Sequence, residues 1–594
     1  MNQQIKIFWF KITIVILVLF GITLIAYKDA LKGGLVWDAG GYLIDNPYIM
    51  ALSWDNIKWM FSTFYMYNWH PLTWLSYALD YWLYGAIWGV ALTNIILHCV
   101  NTILVFIFAL FLICAHRQQG TLFKDINNQD FVSALVAALL FGIHPQHVES
   151  VAWLAERKDV LCLFFVLLTF IFYMVYARLE VSRKRIIYYW VTLACFVMAL
   201  LSKPMAVTIP FLLILGDFYP LKRVSLKDIG NISRINWSLI KKLFLDKLPF
   251  VFLSLVLMAI TLFAQTTAIN PLDKFGFQIR LLNAVRSYFF YISKMLFPIN
   301  LLPLYTDFPN TNDLSNFIYI AGFLLITALF LYLWHTGRQY WLTAWLFYVI
   351  ALLPVIGIVK VGVQSLADRY AYLPTIPFYV LIGCGFTVLV LKIKYLFLRI
   401  IAISSMIVIF LSLFFMTVSQ VIVWQNELYL WSYIAKIIPN HGPANTGLGN
   451  YYFNQGDYEK AVEHYQNAGN SGGLIVYSIP PWAISYLKLN KLNEALLLYK
   501  YALEKKSDVG ISNSCIYYNI GLIYARQGLL DYAKQSLLLV GTDSPDDFFK
   551  AHQILLKIEN FDADRAGKAD ESFSIYQYCE KYRVYSASNI YGDY

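Results

Sequence analysis

The stretch His144-Pro145-Gln146-His147-Val148-Glu149-Ser150-Val151-Ala152-Trp153-Leu154-Ala155-Glu156-Arg157-Lys158-Asp159 gathers most of the groups able to do chemistry. It holds two imidazoles, three acids, an arginine and a lysine between two apolar runs, Phe131 to Ile143 and Leu161 to Tyr176. A carboxylate can take a proton from a hydroxyl. Arginine grips a phosphate with two parallel N–H bonds and lysine as a point charge. His144, His147 and Glu149 also fit part of a divalent-metal site, although Pro145 interrupts the spacing and no third strong ligand stands out. Ionisable groups against lipid cost a few kcal/mol each, so they turn to a cavity, a partner or water. The plain alternative is an interfacial loop whose charges meet lipid headgroups.

Four other short stretches carry similar groups. They are Trp37-Asp38-Ala39-Gly40-Gly41 with Asp45, Asn68-Trp69-His70-Pro71, Ser202-Lys203-Pro204, and Asp368-Arg369-Tyr370. Asp38 is the best candidate base, because Gly40 and Gly41 leave room for close approach. A turn or helix-cap aspartate is its alternative. Arg157, Lys158, Lys203 and Arg369 are the candidate phosphate partners, with headgroup anchoring as the alternative for each. His144 reads as a cap at the membrane end of its helix, and His147 and Glu149 as groups that orient donor or acceptor.

The elements that must position these residues are apolar. The chain has 594 residues, 59% hydrophobic and 14% charged, a composition of polytopic membrane proteins. Eleven spans are expected, at roughly 7–27, 89–113, 129–146, 160–177, 187–202, 204–219, 248–264, 317–334, 341–358, 374–391 and 398–421. The first reads as an uncleaved span, because it is long and no small-residue cleavage pattern follows it. Residues 284–300, with Arg286 and Lys294, read as an interfacial or half-inserted helix. The net charge of +10 falls largely in short connections around Arg178, Arg183, Lys222, Lys227, Lys242, Arg338 and Arg399. Placing these inside puts the N-terminus in the cytoplasm. The 28–88 loop, the His144–Asp159 connection, Lys203, Asp368 and the C-terminal region then share the outer side. The charge calls for no nucleic acid. Ser53 reads as the cap of a helix in the first loop. The seven cysteines lie mostly in apolar runs, and only Cys515 and Cys579 could pair.

Past Trp424 the hydropathy falls and a repeat emerges. Gly449, Tyr452, Gly456, Tyr458, Ala461, Tyr465 and Ala468 recur as Ala483, Tyr486, Asn490, Leu492, Ala495, Tyr499 and Ala502. That shift is the 34-residue period of tetratricopeptide repeats. A third, longer-spaced copy has Gly521, Tyr524, Gly528, Leu530 and Ala533. A generic helical tail is the alternative. Such stacks present a concave peptide-binding face. A further helix near Glu571 to Tyr582 is left unassigned. The division expected is 1–424 membrane and 425–594 repeats.

Trp37-Asp38…Asp45-Asn46-Pro47, Asn68-Trp69-His70-Pro71-Leu72-Thr73-Trp74, His144-Pro145…Glu149…Glu156-Arg157-Lys158-Asp159, Ser202-Lys203-Pro204-Met205 and Ala367-Asp368-Arg369-Tyr370 come in one order along the chain. In these the chain resembles bacterial relatives of the transmembrane and tetratricopeptide-repeat O-mannosyltransferases. The resemblance implies an all-α, glycosyltransferase-C-like bundle of about 11 spans followed by a helical solenoid. It implies inverting transfer of a mannose-like sugar from a polyprenyl phosphate to protein Ser or Thr on the outer face of the cell (inner) membrane. The repeats would recruit the acceptor protein or peptide. It also implies two adjacent acids in the first outer loop. Here Asp38 matches the first and Ala39 replaces the second, with Asp45 nearby.

The substrate-binding set expected around Asp38 is Asp45, His70, His144, His147, Glu149, Glu156, Arg157, Lys158, Lys203, Asp368 and Arg369, with a divalent metal optional and membrane lipids as surroundings. A non-catalytic scaffold is the alternative, favoured by Ala39. A polymerase or ligase for lipid-diphosphate glycans ranks below it, because the largest outer loop comes first rather than late. A solute transporter ranks last, for want of an inverted repeat.

Overall fold

The computed structural model describes residues 3–117, 126–223, 241, 243–266, 276–359, 364–471, 478–504, 512–542 and 545–559. The expected helix at Glu571–Tyr582, the pairing partner Cys579, and the basic positions Lys227 and Lys242 lie outside them. The chain divides into two compact units, one of residues 1–35, 41–426 and 592–594 and one of residues 36–40 and 427–591.

The first unit is helical throughout, and its one strand-like contact among the described residues is an isolated bridge between Tyr305 and Leu366. It opens with α1 (Gln3–Tyr27). The next sixty residues fold as short helices, including α2 (Ala39–Leu43), α3 (Trp54–Ser62) and α4 (Pro71–Tyr84). Ser53 caps α3 as expected, its hydroxyl accepting from Asn56 N at 3.1 Å. Pro71 opens α4, where a missing N–H costs nothing. Gly85 closes it with a left-handed backbone, φ 62°.

Then come α5 (Ile87–His116), α6 (Asn128–Gly142), α7 (Val148–Ala152), α8 (Arg157–Arg178), α9 (Arg183–Ser202) and α10 (Ile209–Phe218). They are followed by α11 (Leu248–Ala264), α12 (Phe277–Leu296), α13 (Ser315–His335), α14 (Gln339–Leu352), α15 (Ile376–Lys392) and α16 (Leu396–Val423). Among the described residues seven helices are long and apolar enough to cross a membrane, and eight if α6 and the bent piece Pro145–Ala152 form one broken span. Three shorter apolar helices, Pro204–Phe218, Gln339–Val355 and Ile376–Lys392, occupy the other apolar runs. Eight and three match the eleven runs one for one, but the last three fall short of full spanning length. Pro204, Leu353-Pro354 and Thr375 with Pro377 mark the breaks that shorten them.

Small residues let these helices approach closely. A Cβ on Gly383 would lie 2.2 Å from Ser133 O, and one on Gly142 would lie 2.6 Å from the Thr102 methyl. No larger residue fits either crossing. The helix α12 is two-faced. Ala284, Tyr288 and Tyr291 pack on Trp345 and Tyr348 of α14, while Phe277, Leu281 and Leu296 stay exposed.

The second unit begins with α17 (Glu427–Ile437) and continues as three helical hairpins. These are α18 (Gly442–Asn454) with α19 (Tyr458–Asn470), α20 (Ile479–Lys488) with α21 (Leu492–Glu504), and α22 (Asn513–Arg526) with α23 (Leu530–Leu537), before α24 (Pro545–Glu559). The positions aligned in the sequence do equivalent work. Gly456, Asn490 and Gly528 all take a left-handed backbone, at φ 79°, 57° and 74°. After each, the next N–H reaches back across the helix end: Asp457 to Tyr452 O, Lys491 to Tyr486 O, Leu529 to Tyr524 O. That is the Schellman arrangement, which satisfies helix-end carbonyls. Ala461, Ala495 and Ala533 are each wholly buried. A Cβ on Gly449 would sit 2.5 Å from the Tyr465 ring, so the first hairpin closes only on glycine there.

Candidate active site

The segment between α6 and α8 is not an exposed connection. Every residue from Ile143 to Arg157 is buried, including both histidines and both glutamates. The alternative of charges meeting headgroups is therefore set aside: they turn inward and pair. Charges removed from water persist only when paired and hydrogen-bonded. Lys203 Nζ lies 2.5 Å from Asp159 and 3.1 Å from Glu156. Lys158 Nζ lies 3.3 Å from Glu156. Arg369 binds the Glu149 carboxylate through its guanidinium and, at 2.9 Å, through its backbone N–H, and approaches Glu156 at 3.5 Å. Trp153 and Tyr370 lie against the same guanidinium.

Residues more than 200 positions apart thus form one cluster, with three cations against three carboxylates. The first loop is bonded to the same region. Thr73 Oγ1 donates to Ser202 O at 2.9 Å and Tyr77 Oη to Leu154 O at 2.7 Å. Lys158 also reaches Tyr42, donating to its hydroxyl at 3.3 Å.

Asp368 stands beside this cluster. Tyr305 Oη donates to its carboxyl at 2.8 Å. Burial first, and then the charge of Glu149, push Asp368 up to about 8. The folded chain therefore holds this proton more tightly than the unfolded chain does. The linked stability is fully present below about pH 4 and is lost as pH rises through about 8. Thermal unfolding from pH 5 to pH 9 should show a falling midpoint. Asp368→Asn, a mimic of the protonated acid, should flatten that fall, and an unchanged slope would exclude Asp368 as its source.

His70 lies 1% exposed, between Tyr42 and Trp74, with ring centroids 5.9 and 4.7 Å away. Neither of its nitrogens has a hydrogen-bond partner among the described residues. Burial first, then Lys158, hold its pKa well below the usual histidine range. The imidazole is thus neutral at pH 7, with a donor and an acceptor both unused.

Four candidates stand elsewhere. Arg157 turns away from Lys158, as adjacent helical residues must. It donates to Asn94, to Ser76 at 3.3 Å, to Asp80 at 2.5 Å and to Val90 O at 2.8 Å, with no exposed surface. That corrects its assignment as a phosphate partner. His144 accepts from Gln146 N at 3.2 Å and contacts Met295 O at 2.9 Å, while His147 contacts Phe141 O at 2.8 Å. Each imidazole is thus bonded to backbone, His144 through both nitrogens and His147 through Nδ1, and Glu149 is held by Arg369. No group of three His, Cys, Asp or Glu residues able to hold a metal occurs among the described residues. Asp45 is exposed.

Asp38 belongs to the 36–40 segment, within the second unit. Trp37 before it takes a left-handed backbone, φ 55°, and packs on Trp431 at 5.9 Å. A tryptophan held there stores strain, a frequent mark of functional sites. Ala39 N closes the turn on Val36 O at 3.1 Å.

The candidate set omitted Asp159 and Asp80. Asp159 was legible as the acid one position beyond Lys158; Asp80, a lone acid on an aromatic helix, gave only the signal of a charge needing a partner.

Protein O-mannosyl-transferase TMTC4 of Homo sapiens is 28% identical over 219 residues, 34% of this chain and 28% of that protein. Protein O-mannosyl-transferase Tmtc2 of Drosophila melanogaster is 35% identical over 113 residues, 19% of this chain and 10% of that protein. Protein O-mannosyl-transferase TMTC1 of Homo sapiens is 31% identical over 165 residues, covering 26% and 17%. Over these stretches the chain is similar to the protein O-mannosyl-transferases. The similarity spans less than a third of the length of any of these three relatives. No family model matches the chain.

Proposed function

We propose that the chain is a membrane glycosyltransferase that moves one sugar, mannose-like, from a polyprenyl phosphate to protein Ser or Thr with inversion. The observation that carries this reading is the buried cation–carboxylate cluster, in a chain similar to protein O-mannosyl-transferases. In this reaction the acceptor hydroxyl oxygen bonds to the anomeric carbon as the carbon–oxygen bond to phosphate breaks. The hydroxyl proton goes to Asp38, the electron pair to the phosphate. Lys158 is the cation proposed for that phosphate, its contacts to Glu156 and to Tyr42 each being 3.3 Å long. Fixed cations aimed at developing charge stabilise it without reorganisation. The neutral His70 orients a sugar hydroxyl. Residues 1–424 carry the transfer, and 425–594 recruit the acceptor.

The basic connections, kept inside by the positive-inside rule, support a cytoplasmic N-terminus and this chemistry on the outer face of the cell membrane. Ala39, where the resemblance implies a second acid, favours a second reading, a non-catalytic scaffold.

The test is transfer of radiolabelled sugar to envelope proteins by purified, lipid-reconstituted protein. Polyprenyl-phosphate mannose and polyprenyl-phosphate glucose are compared as donors. Labelled protein is expected with one of them. Donor binding without transfer from either would give the scaffold reading the lead.

A further inference from the structure

A cavity of about 500 Å³ lies among α5, α8, α10, α14 and α15, walled by Phe108, Phe170, Leu213, Phe347 and Val388. This volume lies within the ~300–1,000 Å³ of sites that hold small molecules. Along α15 its lining runs from Pro377 to Val388, roughly 16 Å at the helical rise. An apolar lining over that length suits a hydrocarbon chain, and apolar walls give water too few partners to hold it there.

The cavity is remote from the charged cluster. On α8, Phe170 follows Arg157 by thirteen residues, roughly 20 Å along the axis. Its far end is polar and basic. His116 and Tyr219 both line it, Nδ1 and Oη 2.7 Å apart. Arg117 and Lys222 are close enough for their charges to act on His116. Arg223 is occupied by Asp217 and Asp246, and Arg117 by Asp130, whereas Lys222 is exposed and makes no ion pair among the described residues.

We propose that this cavity takes one acyl chain of an anionic phospholipid, drawn from the leaflet on the side of Lys222, with the lipid phosphate at Lys222. The charge at the mouth selects an anionic headgroup, and the dry cavity selects a chain. This is a second lipid site, separate from that of the sugar donor, and it does not depend on the transferase reading.

Two glycines make it testable. Both Gly216 and Gly385 line the cavity, and a Cβ on either meets nothing within 4 Å. Gly385→Leu and Gly216→Leu should therefore fill the cavity without a clash. Full-length protein in lipid nanodiscs of phosphatidylglycerol or phosphatidylcholine is the sample, with bound lipid counted by native mass spectrometry after delipidation. The wild type should retain one phosphatidylglycerol. Either leucine variant should lose it, so one that fails to fold leaves the other as the test. Lys222→Ala should weaken phosphatidylglycerol about fivefold, the effect of one basic residue at an anionic lipid surface, and leave phosphatidylcholine unchanged. Undiminished retention in a folded leucine variant would overturn the proposal. So would displacement of the lipid by polyprenyl phosphate, which would make the cavity the donor's own tail site.

Discussion

Arg157→Ala should cost about 3–5 kcal/mol of stability, the usual penalty for breaking a buried ion pair and stranding its partner. Asp80, at 2% exposure, would be left with no guanidinium opposite. The loss is large because one side chain satisfies Asn94, Ser76, Asp80 and Val90 O, fixing α8 to α4 and α5. The measurement is the thermal midpoint and monodisperse yield of Arg157→Ala, beside Asp80→Ala and the double variant Arg157→Met/Asp80→Leu. The apolar pair should recover most of the stability, since buried ion pairs are often replaceable by well-packed hydrophobes. A variant that folds like the wild type but no longer uses donor would return Arg157 to the phosphate.

Asp38→Asn should lower sugar transfer about 10²–10⁴-fold, the usual contribution of a positioned general base. Its thermal midpoint and membrane insertion should not change. Asparagine keeps the shape and the capping ability of aspartate, so a purely structural Asp38 would tolerate it. The prediction separates those roles directly. Unchanged turnover would remove Asp38 as the base, whereas loss of both transfer and folding would make it structural. Ala39 sharpens the test, because the adjacent position holds no acid to replace Asp38.

Period and hydropathy made the helices readable. The apolar runs needed only length and composition, and the repeat needed only its 34-residue spacing. Gly456 and Asn490 were aligned as residue types before either was seen as a left-handed turn, and these are the two residues that adopt that backbone most cheaply. What the linear order hid was direction. Arg157 and Lys158 look alike side by side, but about 100° of helical rotation sends one to Asp80 and the other to Glu156 and Tyr42. The burial of Ile143 to Arg157 was hidden for a related reason. Composition sends a charged stretch between apolar runs to a cavity, a partner or water alike, and the choice is made by partners such as Lys203 and Arg369, which arrive from 44 and 220 residues away. Asp38 was singled out by its neighbouring glycines, whereas the strain at Trp37 has no signature in sequence.

The even balance of charge in the cluster bears on how a turnover would finish. A polyprenyl-phosphate sugar is a diester with one negative charge, and the polyprenyl phosphate left behind carries nearly two at neutral pH. Lys158, Lys203 and Arg369 already have carboxylate partners, so that added charge is met only if a cation loosens from Glu156, Asp159 or Glu149. The spent carrier would then be gripped more tightly than the loaded one. In the proposed transfer its departure, with re-formation of the internal pairs, would be the step that resets the protein, and accumulated carrier would act as a brake on the next cycle.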